Sequence, residues 1–146
     1  MTQEDKELLL KDLCARLPYG VKCCIYNFGE DTIRIKEDIL WSVQGDNILT
    51  LKSYVEKGEA YMYHQIKPYL FPLSRLNSLT EEQKKTLKVL CDWNDEEADA
   101  QSILVLYQKH FVMKTDVIDW LNENHLDYRG LIEKELAIDA TGLNIY

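Results

Sequence analysis

The stretch TIRIKEDILWSVQGDNILTLKSY, residues 32–54, gives the strongest indication of the fold class. Strand-forming residues lie on both sides of a turn sequence, Gly45-Asp46-Asn47. Ile33 and Ile35 alternate with Arg34 and Lys36. This is the period of a strand with one buried face. The alternation therefore predicts an antiparallel strand here.

A second strand is predicted from Ile39, with Ile39, Trp41 and Val43 on one face. The turn residues at 45–47 follow, and a further arm begins at Ile48. These features predict a β-hairpin.

The segments on either side extend the sheet. VKCCIYNF at 21–28 pairs with TIRIK at 32–36 through a turn at 29–31, and AYMYHQI at 60–66 adds a further strand. PYLFPL, from Pro68 to Leu73, contains two prolines and is predicted to be an extended crossing from the sheet to the helices.

Helix starts follow on the C-terminal side. Thr80 and Gln83 form a capping box for a helix over 81–91. A second box is predicted at 94–97, before a buried stripe of Ile103, Leu104 and Tyr107.

Further helices are predicted elsewhere along the chain. One starts at Thr115, and a last short helix runs from Leu126 and ends before Gly142. At the N-terminus, Thr2 caps a helix that ends at Leu17-Pro18.

Together these elements predict an α+β fold. It has an N-terminal helix, a small antiparallel β-meander of three to five strands, and a C-terminal helical half packed on one face of the sheet. The length of 146 residues predicts a single domain over 1–146.

Composition narrows the classes of partner. The formal net charge of −8 disfavours direct binding to nucleic acid or to an anionic membrane. The N-terminal residues lack the pattern of an export signal, and no apolar run is long enough to cross a bilayer. We therefore predict a cytoplasmic chain with free thiols at its four cysteines.

Motifs of catalysis and ligation are missing from the sequence. No HxxxH or CxxC pair is present, nor a GxSxG elbow or a glycine-rich phosphate loop. No metal, cofactor or catalytic residue is predicted, and a non-enzymatic role is favoured.

The stretch HLDYRG, residues 125–130, contains the main binding candidates. Asp127 is predicted to cap the last helix, with Leu126 and Leu131 as a hydrophobic staple. This leaves His125, Tyr128 and Arg129 as residues that either bind a partner or brace the fold.

Lys67 and Tyr69 are added as binding candidates from the aromatic-rich region 60–72. There, alternating aromatic residues fit either a recognition surface or an ordinary core.

Three stretches carry a resemblance: LCARLPYGVKC at 13–23, IKPYLFPLSRLNSLTEEQKK at 66–85 and WLNENHLDYRGLIEKELAIDA at 120–140. They resemble a group of small uncharacterised proteins encoded in gut-bacterial genomes, often in mobile or prophage regions. The resemblance implies a cytoplasmic accessory protein of a bacterium or its phage. It assigns no functional residues.

The leading functional hypothesis is a non-enzymatic protein-binding or adaptor protein, which acts on a protein partner or as a homo-oligomer. The alternative is a phage counter-defence protein that binds a small molecule or imitates nucleic acid with its acidic surface.

Overall fold

The computed structural model describes residues 1–28, 33–50, 58, 60–95 and 97–146. The helices in these residues are α1 Gln3–Arg16, α2 Glu81–Leu90, α3 Ala100–His110 and α4 Thr115–Glu123. The strands in the same residues are β1 Lys22–Phe28, β2 Ile33–Gln44, β3 Asn47–Thr50, β4 Tyr61–Met62, β5 Ile66–Leu70 and β6 Ile138–Asp139. The predicted α+β class is confirmed.

The chain forms two compact units. The first contains Met1–Leu70 and Arg129–Tyr146, and the second contains Phe71–Tyr128. The first unit holds α1 and the sheet, and the second holds α2, α3 and α4. The single domain over 1–146 and the packing of the helical half on the sheet stay predictions.

The sheet of the first unit has the strand order β4-β3-β2-β1-β5-β6. Its neighbours are antiparallel except for β5 and β6, which are parallel. β2 and β3 are joined through Gly45 and Asp46, and Gly45 has a φ of 60°, as the predicted tight turn requires. The predicted turn at 29–31 lies outside the described residues.

β2 differs from its prediction in length and in register. It is one strand of 12 residues, and its pairing with β3 contains an irregularity between Leu40 and Ser42. Leu40 is buried and Val43 packs against the same core, whereas Trp41 is 54% exposed. The prediction that Ile39, Trp41 and Val43 share one face is wrong, because a bulge shifts the alternation by one residue.

The single strand predicted at 60–66 is divided into β4 and the start of β5 by a turn at Tyr63–Gln65, and β5 also includes residues predicted to lie outside the sheet. Residues 66–70, of which 68–70 were expected to be part of a crossing, form β5, which pairs with β1 on one side and β6 on the other. The described part of the sheet therefore has six strands, where three to five were predicted.

The predicted last helix is replaced by turns and by β6, so this prediction is wrong. Gly130 and Glu135 both have a positive φ, which a right-handed helix does not accept. The amide of Leu136 donates to the carbonyl of Leu131 at 2.9 Å and closes the turn. The predicted cap at Asp127 and the staple of Leu126 with Leu131 required that helix, and residues 126–131 form a bridge and turns instead.

The other helix starts are mostly as predicted. The capping boxes at Thr2 and Thr80 are both present. The start predicted at 94–97 is wrong, because Asp99 caps α3 by accepting from the amide of Ser102 at 2.9 Å. Asp95 instead accepts from the amide of Glu97 in a turn.

Each unit has its own apolar core. In the first unit, α1 packs on one face of the sheet, and the buried residues include Leu9, Leu13, Val21, Cys23, Ile25, Leu40, Ile48, Ile66 and Leu70. The buried residues of the second unit include Leu76, Leu87, Ile103, Leu104, Tyr107, Val117, Trp120 and Leu121. The predicted stripe of α3 is therefore confirmed.

Candidate functional site

Two of the predicted binding residues, Lys67 and Tyr69, lie on β5 in the first unit. Lys67 pairs with Cys24 of β1, and Cys24 pairs with Glu37 of β2. Cross-strand partners share a face, so these three side chains form a row across the sheet. We call Glu37, Cys24 and Lys67 the cross-strand row. The Tyr69 hydroxyl donates to Oε1 of Glu37 at 3.0 Å, and so joins the row.

Two tyrosines beside Cys24, Tyr26 and Tyr69, have raised pKa values. Burial raises the pKa of Tyr69, and hydrogen bonds with Glu37 and Cys24 raise it further. Burial also raises the pKa of Tyr26, again together with a hydrogen bond to Cys24. Both phenols therefore stay protonated at neutral pH. Cys24 is only 2% exposed, which closes its thiol to an external substrate. These contacts support a bracing interpretation of the row, and the binding roles of Lys67 and Tyr69 stay predictions.

Arg129 is part of a buried ion cluster in the first unit. Its Nη1 donates to Oδ1 of Asp12 at 2.9 Å, and Arg16 Nε donates to Oδ2 of the same carboxylate at 2.7 Å. Asp12 and Arg16 are fully buried. One carboxylate is therefore shared by two guanidinium groups. These contacts support the bracing interpretation of Arg129, and its binding role stays a prediction.

The sequence contained a signal for this cluster that pattern reasoning missed. Asp12 and Arg16 are four residues apart and lie on the same side of α1 as the apolar stripe of Leu9 and Leu13. A polar pair on a core-facing side of a helix predicts a buried partner, because an isolated charge is costly there. The identity of Arg129 as the third member was not visible in the sequence.

His125 and Tyr128 lie in the second unit. The His125 carbonyl accepts from the amide of Phe71 at 2.9 Å, and the Asp127 amide donates to the Phe71 carbonyl at 2.8 Å. His125 has a φ of 53°, and Tyr128 is half-buried against the core of this unit. Backbone contacts thus account for the shape of this segment, and the binding roles of His125 and Tyr128 stay predictions.

A groove of about 720 Å³ in the second unit was not predicted. We call it the α2 groove, and it is lined by Leu76, Asn77, Glu81, Lys84, Lys85, Lys88, Val89, Glu97, Ala98, Asp99 and Ala100. Its volume lies within the range of about 300–1,000 Å³ that is usual for ligand sites. The feature of the sequence that could have indicated this groove is Val89, an apolar residue on the polar side of an amphipathic helix.

A second unpredicted feature lies along α3 and just beyond it. Large apolar side chains are exposed at Val105, Leu106, Phe111 and Val112, and we call these four residues the Phe111 surface. Phe111 stacks on the buried Tyr107 with ring centroids 5.4 Å apart, yet it is still 60% exposed. Val112 is 93% exposed. Single exposed apolar residues are common, whereas here four large ones fall within eight residues of the chain.

The part of the chain that the structure describes contains no group of three or more His, Cys, Asp or Glu side chains placed to hold a metal ion. None of its helices has the length and apolarity that a bilayer crossing needs.

Comparison with known proteins gave no relatives. Neither a protein-family model, nor a curated protein, nor a solved structure matches this chain.

Proposed function

We propose that this chain is a non-enzymatic protein-binding protein that contacts its partner through the Phe111 surface. The observation that carries the proposal is the exposure of four large apolar side chains over residues 105–112. Covering a half-exposed apolar side chain contributes about 1 kcal/mol. A partner that covers all four would gain affinity from each.

The residues around this surface suit a protein contact. Lys109 and His110 are exposed between the two apolar pairs. Charges at the margin of an apolar patch steer association and select partners. A carboxylate of the partner beside Lys109 would therefore suit this surface.

The alternative of a counter-defence protein that binds a small molecule or imitates nucleic acid stays a prediction.

Affinity capture from a bacterial lysate, combined with light scattering of the pure protein, tests the proposal. We expect the wild type to recover a partner or to self-associate. The double substitution Phe111→Ser and Val112→Ser should weaken either contact by roughly 10- to 100-fold.

Trp41→Ser is the matched control, because Trp41 is 54% exposed but lies on β2 of the first unit. Circular dichroism should show that all variants are folded. A wild type that is monomeric and recovers no partner would refute the proposal, as would equal loss of binding in the Trp41→Ser control.

A further inference from the structure

The charges that line the α2 groove balance in number. The basic side chains are Lys84, Lys85 and Lys88 of α2, and the acidic ones are Glu81 of α2 with Glu97 and Asp99 from the segment before α3. The lining therefore has no excess of either sign, and it does not favour an occupant with a net charge. It suits an occupant that carries one charge of each sign, because opposite charges across a contact complement one another.

Part of this charge is already bonded within the second unit. Nζ of Lys84 lies 2.7 Å from Oε1 of Glu81. Asp99 accepts from the amide of Ser102 at 2.9 Å and so caps α3. A carboxylate that caps a helix and an ammonium that bonds a neighbouring carboxylate have less capacity left for a ligand.

Lys85 and Glu97 are the two lining charges that keep this capacity. Both side chains are exposed, and neither forms an ion pair or a side-chain hydrogen bond with another residue in the part of the chain that the structure describes. Lys85 belongs to α2, whereas Glu97 belongs to the segment before α3. The groove therefore presents one ammonium and one carboxylate that do not bond each other.

The rest of the lining includes an apolar part. Leu76 and Ala100 line the groove and are buried, and Ala98 between the charged residues is half-buried. The volume of about 720 Å³ is large enough for a small molecule with an apolar side chain. Apolar surface with a few polar groups that fix orientation is the usual composition of a small-molecule site.

We propose that the α2 groove binds a zwitterionic dipeptide with an apolar side chain. The peptide carboxylate bonds Lys85, its ammonium bonds Glu97, and its side chain covers Leu76. A dipeptide fits better than a free amino acid, because a peptide unit separates its two charges and the two protein groups do not bond each other. The site goes beyond the proposed function, since it takes a small ligand and does not involve the Phe111 surface.

Three forms of one dipeptide test the two charge pairings. They are leucyl-alanine, its N-acetyl form without the ammonium, and its C-terminal amide without the carboxylate. Titration of the full chain, followed by amide chemical shifts at 76–77, 81–89 and 97–100, should give a dissociation constant of about 1 mM for leucyl-alanine. Each blocked form should bind about 3- to 5-fold more weakly.

Two substitutions assign each charge to its partner. Lys85→Gln should weaken leucyl-alanine by about 3- to 5-fold and leave the amide unchanged, because the amide has no carboxylate to lose. Glu97→Gln should weaken leucyl-alanine by a similar factor and leave the N-acetyl form unchanged. Lys11→Gln changes an exposed lysine of α1 in the first unit, and as the matched control it should leave all three affinities unchanged.

Several outcomes would overturn the inference. They are no movement of these amide shifts up to about 10 mM leucyl-alanine, equal binding of all three forms, or equal effects of Lys85→Gln on the dipeptide and its amide. Binding of free leucine as tight as that of the dipeptide would overturn the choice of a ligand with separated charges.

The two proposals fail separately. The Phe111→Ser and Val112→Ser double variant should bind leucyl-alanine like the wild type. Failure of leucyl-alanine to bind would therefore leave the proposed protein contact standing, and loss of that contact would leave the dipeptide site standing.

Discussion

Asp12 and Arg129 are 117 positions apart in the chain, yet Oδ1 of Asp12 accepts from Nη1 of Arg129 at 2.9 Å. The carboxylate is fully buried and also accepts from Arg16. A buried carboxylate is stable only when its charge and lone pairs are matched. Arg129 therefore ties the end of the HLDYRG segment to α1.

Substituting Arg129 by alanine should lower the free energy of unfolding by about 2 kcal/mol, because the buried Asp12 carboxylate loses one of the two guanidinium groups that bond it. Asp12→Ala should cost more, about 3–5 kcal/mol, since it removes the carboxylate that both guanidinium groups bond. Urea denaturation followed by circular dichroism measures both values.

The control for these two substitutions is Lys134→Ala. Nζ of Lys134 is 3.6 Å from Asp5, and the lysine side chain is half exposed. Exposed pairs contribute little, so stability should be nearly unchanged. An unchanged melting temperature in Arg129→Ala would contradict the bracing role and favour a partner contact.

The hydroxyl of Tyr146 bridges β1 and β5. It accepts from the amide of Lys22 at 3.0 Å and donates to the carbonyl of Tyr69 at 2.9 Å. Tyr146→Phe removes both hydrogen bonds and should cost about 1–2 kcal/mol of stability at neutral pH. Thermal melts of the two proteins at neutral pH provide the measurement.

Alkaline pH should affect the same bridge. Burial raises the pKa of Tyr146 above the ordinary 10.0, so the folded state resists loss of this proton. The stabilisation is complete below about pH 10 and is lost as the pH rises through the folded value. Tyr146→Phe should therefore lose less stability than the wild type above pH 10, and a parallel decline in both would contradict the bridge.

The bulge in β2 predicts that substitution lowers stability strongly at Leu40 and only slightly at the adjacent Trp41. Leu40→Ala should cost about 3 kcal/mol, because it opens a cavity in the core of the first unit. Trp41→Ala should change stability by only about 0.5 kcal/mol, since Trp41 is exposed. If Trp41→Ala proved the more costly in chemical denaturation, the strand would have the unbulged register.

Thiol reactivity should separate the four cysteines. All four are free, as predicted; Cys14 is exposed and the other three are buried. Burial raises the pKa of Cys91 to about 11, which further lowers its thiolate fraction at neutral pH. A disulfide reagent should modify one thiol rapidly in the native protein, and Cys14→Ser should abolish that phase. More than one rapid phase would contradict the burial of the other three.

Local signals in the sequence were enough for elements with strong patterns. Thr80 and Gln83 predicted the start of α2 because a capping box is formed by residues close together in the chain. The turn at Gly45 and the stripe of α3 were predicted for the same reason. Asn94 and Asp99 show the limit of such signals, since either side chain can form a local cap and only the folded backbone selects Asp99.

The α+β class and most of the helix starts can be predicted from the sequence alone, because periodicity and capping depend on residues that are close together in the chain. Tertiary structure alone decided that Leu40 and not Trp41 enters the core, that residues 68–70 join the sheet, and that Arg129 bonds Asp12. Each of these depends on strand pairing or charge pairing between distant residues. The α2 groove also depends on tertiary structure, because its walls come from segments that are separate in the chain and pack together only in the folded protein.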